Sequence, residues 1–208
     1  MHVSRWLATA VFVSACAAPA ATENPTPTDL ALQAGETKTS TDPAVNPDAA
    51  AIAEFKTRVD AYADLHKQLA TGDAKPRQTE DPARINAAKA VLTGKVQAAR
   101  ASAKQGDIFT PAVRPVFRRL LAPELKGENG RDAKAVLKDD APAPGTVPFK
   151  VNAKYPENQP LPSVPSKVLL SLPPLPAPLE YRIVGQHLLL LDTAADLVVD
   201  YILNAITT

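Results

Sequence analysis

The chain of 208 residues contains one cysteine, one tryptophan, one methionine and three histidines, and aromatic residues make up only 5% of it. A single thiol excludes an internal disulfide, so nothing covalent staples the fold. His2, His66 and His187 are too few, and too far apart, to give the paired spacing of a zinc centre. Glycine-dependent chemistry is missing as well: no G-x-S-x-G elbow, phosphate-binding P-loop or G-x-G-x-x-G turn occurs. Asp64 and His66 are two residues apart and fall on different helix faces, which makes a dyad of them improbable. Net charge is nearly absent, at +1, so the composition offers no argument for a nucleic-acid partner. The longest apolar run is far too short to span a bilayer. No catalytic residue, no metal and no cofactor is therefore expected, and the chain reads as a non-enzyme.

What is present begins at the N-terminus. Arg5 supplies a basic start, residues 6–13 are apolar apart from Thr9, and small residues follow at Ser14, Ala15, Cys16, Ala17 and Ala18. That is the order of a secretory signal peptide. Val13-Ser14-Ala15-Cys16 resembles the bacterial lipobox: an aliphatic residue, two small residues, then cysteine. The resemblance implies a lipoprotein of the cell envelope in which the Cys16 thiol is acylated and becomes the first residue of the mature chain. A membrane is then a partner through a lipid anchor, held by burial of acyl methylenes. Ala17 is not the aspartate that, in Gram-negative lipoproteins, marks the inner membrane, so the same resemblance points to the periplasmic side of the outer membrane. Ordinary cleavage at Ala15-Cys16-Ala17 or Ala18-Pro19-Ala20 is the alternative, and it gives a soluble periplasmic or secreted protein. Residues 1–15 are thus read as signal peptide and 16–47 as a disordered tether. The tether is built of Ala, Thr, Pro and acidic residues that offer almost nothing large to bury. Loss of the signal removes one basic residue and no acidic one, which brings Lys+Arg level with the 22 Asp+Glu.

From residue 48 to 140 the pattern is helical. Ile52, Phe55, Val59, Tyr62, Leu65 and Leu69 recur at steps of three and four, after Asp48 as N-cap and before Gly72, which predicts a helix over 49–71. Asp81-Pro82 opens a second helix that carries Ile85, Ala88, Leu92, Val96, Ala99 and Ala103 and ends by Gly106. The two are expected to pair antiparallel. Val113, Phe117, Leu120 and Leu121 make a third stripe starting near 111 or 115 and closing at Gly127, and a short helix is expected over Arg131 to Leu137. Nine basic residues lie between Arg84 and Lys126, opposed there only by Asp107 and Glu124. One reading is an interaction face, centred on Arg114, Arg118 and Arg119, for an envelope protein, lipid phosphates or an anionic polymer. The other is solvated helix faces whose charges pair with Glu54, Asp60 and Asp64.

Residues 141–208 are proline-rich and then strand-like. Eleven of the 21 prolines fall between Pro142 and Pro178. "FKVNAKY" (149–155) alternates as a half-buried strand, "SKVLLSL" (166–172) is expected as a short helix beneath it, and "PPLPAP" (173–178) as an extended strut. Leu179 to Val184, His187 to Asp192 and Leu197 to Ile202 then read as three antiparallel strands, turning at Gly185-Gln186 and at Thr193 to Asp196. Val184-Gly185 followed by Leu189 to Leu191 resembles the C-terminal segment of small periplasmic nickel and cobalt homeostasis proteins. Ala195-Asp196 stand where those have a Thr-Gly turn, and the likeness transfers no metal function. The whole chain is similar to uncharacterised exported bacterial proteins. The fold class expected is α+β: an N-terminal helical hairpin with further short helices, and a small C-terminal antiparallel meander packed on them as one domain. The function expected is a non-catalytic adaptor or structural interaction protein of the envelope, with a periplasmic small-molecule or metal binder as the alternative.

Overall fold

Asn46 starts the first helix, α1 (Pro47–Leu69), by accepting the Asp48 N–H on its side-chain oxygen at 3.0 Å. Asn46 is the cap here and Asp48 is the second residue of the helix, because Pro47 takes the first helical position, where its missing N–H costs nothing. The buried stripe is Ala51, Phe55, Val59, Tyr62 and His66. The computed structural model describes residues 46–75, 78–126, 130–132, 134–135, 137, 149–156, 161–162 and 164–206. The signal peptide, residues 16–45 of the expected tether with Cys16, and Gly127 lie outside the described residues, while Asn46 and Pro47, expected as the end of the tether, belong to the start of α1.

Asp81 caps α2 (Pro82–Ala99) as expected, accepting the Ala83 N–H at 2.9 Å. The helix stops at Ala99, short of residue 105. Where it stops, the Asn152 amide donates at 3.0 Å to the carbonyls of both Gln97 and Arg100, satisfying two of the acceptors at the helix end. The antiparallel pairing with α1 is present but staggered. Arg100 stacks over the Tyr62 ring, while further along α1 the Lys95 ammonium reaches the carbonyls of Leu69 and Thr71. Contact is thus confined to the C-terminal halves, and the first turns of α2 overhang. Ile85, expected in the buried stripe, is 47% exposed.

Helix α3 (Val113–Glu124) buries Val113, Val116, Phe117 and Leu121, with Leu120 partly covered. Residues 130–132, 134–135 and 137 are helical, in line with the short helix expected there. Helix α4 (Ser166–Leu170) buries Val168. It packs against α3 and the helix-side core, not beneath residues 149–155.

The sheet is a meander of order β1-β2-β3, with β1 (Leu179–Val184), β2 (His187–Asp192) and β3 (Leu197–Ile202), all antiparallel. The α+β architecture is as the sequence indicates. Both turns use positive φ, at Gly185 (60°) and at Asp196 (57°). Aspartate tolerates the left-handed region better than most residues, so Asp196 takes the positive-φ position of the second turn without a glycine. One sheet face, with Tyr181, Ile183, Leu188, Leu190, Leu197 and Ile202, shares a continuous core with the helices. Its aromatic centre is Phe55, Phe109 and Phe117, with centroids 4.8–5.5 Å apart.

The other face, with Val184, Leu189, Leu191 and Val198, is covered by Phe149 and Tyr155. Here the expected strand over 149–155 does not form. Phe149 and Tyr155 are buried as the alternation requires. However, Asn152 adopts φ 60° and turns the chain, and the segment meets β3 through the backbone bonds Asn152 N–H to Val198 O and Val198 N–H to Ala153 O. The segment caps the free edge of β3 rather than extending the ladder.

Candidate functional site

Two buried carboxylates organise the polar interior. The first depends on a β-bulge. Leu190 pairs with Asp200 but Leu191 pairs with Val198, so Val199 is an extra residue in β3. An extra residue breaks the strict alternation of faces, and both Val199 and Asp200 turn toward the helices. Asp200, fully buried, then accepts the backbone N–H groups of Gly106, Ile108 and Phe109 and its neighbour Tyr201 at 2.8–3.2 Å. It binds the loop between α2 and α3 to the sheet. That loop passes Gly106 at φ 95°, with the Arg114 guanidinium so close that a Cβ on Gly106 would lie 2.3 Å from it. A side chain there would have to displace Arg114 as well as strain the backbone.

The second carboxylate, Asp192, ends β2 against α1. Its Oδ2 accepts the Tyr62 hydroxyl at 2.7 Å, and its Oδ1 accepts the Ala195 N–H at 2.7 Å, closing the β2–β3 turn. His66 stands one turn beyond Tyr62, with Nε2 3.5 Å from Asp192 Oδ2. That nitrogen is buried and makes no hydrogen bond among the described residues. Burial first, then the Asp192 charge, pushes the Tyr62 phenol well above its ordinary range, with Arg100 acting weakly in the opposite direction. Tyr62 is therefore held as a neutral donor. His66 is 8% exposed, so it is not the half-exposed helix residue that its polarity implies. Asp64 plays no part. The partner of His66 lies on a strand far along the chain, which no local spacing reveals. Tyr62 and Asp192 are joined by a hydrogen bond, His66 lies beside them, and all three are buried. No group of three or more His, Cys, Asp or Glu able to hold a metal occurs among the described residues.

The arginines of the expected interaction face are all on α3, and each has an intramolecular contact. Arg114 donates from Nε to Phe109 O at 2.8 Å. Arg118 donates to the carbonyls of Leu203 and Asn204, just after β3, at 3.0 and 3.1 Å. Arg119 pairs with Asp48 at the start of α1. Arg118 and Arg119 remain exposed and Arg114 is half-buried. Glu54 and Asp60 are taken by Arg58 and Lys56 of α1 itself. The basic residues after Arg84 therefore find other acceptors, Asp196 for Lys89 and backbone carbonyls for Lys95 and Arg100.

On the outer sheet face, His187 lies edge-on to Phe149, and its Nδ1 accepts the Asn204 N–H at 3.1 Å. In that arrangement the neutral ring carries its proton on Nε2, and burial lowers its pKa from the ordinary 6.5. Compared with protein-family models, with curated proteins and with solved structures, the chain matches none.

Proposed function

We propose that the chain is an exported lipoprotein of the bacterial envelope, whose folded part is a non-catalytic interaction domain held at a membrane by acylated Cys16. The single observation behind this reading is the order of residues 5–16: a basic start, a short apolar run, and Val13-Ser14-Ala15 immediately before the only thiol of the chain. An acylated N-terminal cysteine gives that thiol a role, where no disulfide can. The interior supports the non-catalytic half of the reading. Asp200 and Asp192 are spent on backbone and tyrosine donors that join elements, and the aromatic residues fill the core.

Mass spectrometry of the N-terminal peptide from isolated membranes tests the proposal. A peptide beginning at Cys16 and carrying acyl mass is expected. A soluble chain beginning at Ala18 or Ala21, with no lipid, would overturn it. The alternative, a periplasmic binder of a small molecule or metal, has one observation in its favour: the His66 Nε2 without a hydrogen bond beside Asp192. Thermal unfolding with and without divalent zinc, nickel or cobalt separates the two. Stabilisation that saturates, and is lost in His66→Gln, would favour the binder.

A further inference from the structure

Leu170 is 85% exposed, and Leu169 beside it is exposed as well. Helix α4 is only five residues long and commits Val168 alone to the core, so Leu170, and in part Leu169, lie outside the packing of their own domain. Lys167 lies exposed just before them, and α3, against which α4 packs, presents Arg118 and Arg119 outward. The entry of the chain into the domain is fixed at the same place. Arg119 pairs with Asp48, the second residue of α1, so the chain preceding Asn46 joins the domain beside α3.

We infer that the α3–α4 face rests on the bilayer that holds the lipid anchor. Leu169 and Leu170 enter the boundary between headgroups and acyl chains, Lys167 meets anionic headgroup phosphates, and Arg118 and Arg119, exposed beside their internal contacts, add positive potential to the face. The inference rests on the reading of Cys16 as the anchor. Two leucines and a few cations are too weak to hold a free protein at a membrane. The tether expected over residues 17–45 changes that balance, because even fully extended at about 3.1 Å per residue it reaches no more than about 90 Å. The bilayer is then present at high effective concentration, and a weak contact suffices. The tether enters at α3, so the face beside it is the first to reach the surface. Apolar side chains flanked by cations also match an anionic lipid surface better than they match bulk water.

A tryptophan reporter tests this. Trp6 is the only tryptophan and is lost with the signal, so an introduced indole reports its own surroundings alone. The full-length lipidated chain is prepared with Leu170→Trp and, separately, with Ile85→Trp on the overhanging end of α2. Each is reconstituted into vesicles of phosphatidylethanolamine and phosphatidylglycerol and floated through a density gradient. Both are expected to float. The indole at 170 is expected to shift to the blue on reconstitution and to be quenched by brominated acyl chains, and the indole at 85 to stay solvent-like. Flotation with neither indole quenched overturns the docking face while leaving the anchor intact. Failure to float overturns the anchor, and this inference with it. A blue shift at 170 already present in detergent-free solution before vesicles are added assigns the leucines to a protein contact, and also overturns bilayer docking.

Discussion

Asp200 has an acceptor role that no other side chain can fill. Asparagine in its place would turn an NH2 group toward backbone donors, leaving buried N–H groups without acceptors. Such a loss costs about 3 kcal/mol, within the range for breaking a buried, charge-assisted network. Asp200→Asn is expected to lower the unfolding midpoint by roughly 6–12 °C for a domain of this size. A calorimetric midpoint within a degree or two of wild type would show that the loop between α2 and α3 holds without its carboxylate. His187 gives a pH dependence of definite sign. Burial lowers its pKa, so the unfolded chain binds the proton more readily. Its contribution to stability is complete above the ordinary value of about 6.5 and is lost as pH falls through the lowered folded value. Thermal midpoints measured across that window should fall with acid more steeply in wild type than in His187→Gln, and parallel curves would remove His187 from the account.

At the level of elements, the staggered contact of α1 with α2 divides the second helix into two parts. Residues 92–99 are pinned by Leu92, Thr93 and Val96, and the Thr93 hydroxyl donates to Ala195 O at 2.6 Å. Residues 82–87 are exposed throughout, and Val91 is exposed as well. Amide exchange in the first turns is expected to be faster than at 92–99 by on the order of 100-fold, since local opening there costs little buried surface. Uniform protection along α2 would show an uncounted contact at its N-terminal end. The same stagger marks how far the sequence could be read. The positions of α1, of the start of α2 and of all three strands follow from periodicity and caps, which are local properties. The overhang of Ile85 is not legible, because a stripe of apolar letters does not say where the partner helix ends. The failed strand at 149–155 has a similar cause, since its alternation is genuine but the positive φ of Asn152 is set by acceptors on α2. The burial of His66 is not legible either, because periodicity counts only apolar residues, although the step from Tyr62 to His66 continues the stripe. The arginine positions on α3 were readable, but their carbonyl partners just after β3 were not.

The molecule as a whole places its described core between α1 and β3, and the residues expected as tether supply little apolar surface for it. Deletion of residues 17–45 is expected to leave the thermal midpoint unchanged within about 1 °C, since a segment that buries nothing adds nothing to stability. A fall of several degrees would mean that the segment packs on the domain. The bulge at Val199 also has a consequence for the order in which the protein is made. Ile108 takes its acceptor from a residue 92 positions later, on the last strand of the domain. While the ribosome is still short of β3, the α2–α3 loop has no carboxylate to close on, the sheet lacks one of its three described strands, and the face under Phe149 and Tyr155 is incomplete without Val198. Helices can flicker in the nascent chain, but the lock comes last. Under the proposed export, a chain that threads a channel unfolded would gain a built-in delay from that timing, since β3 follows every other described element of the fold.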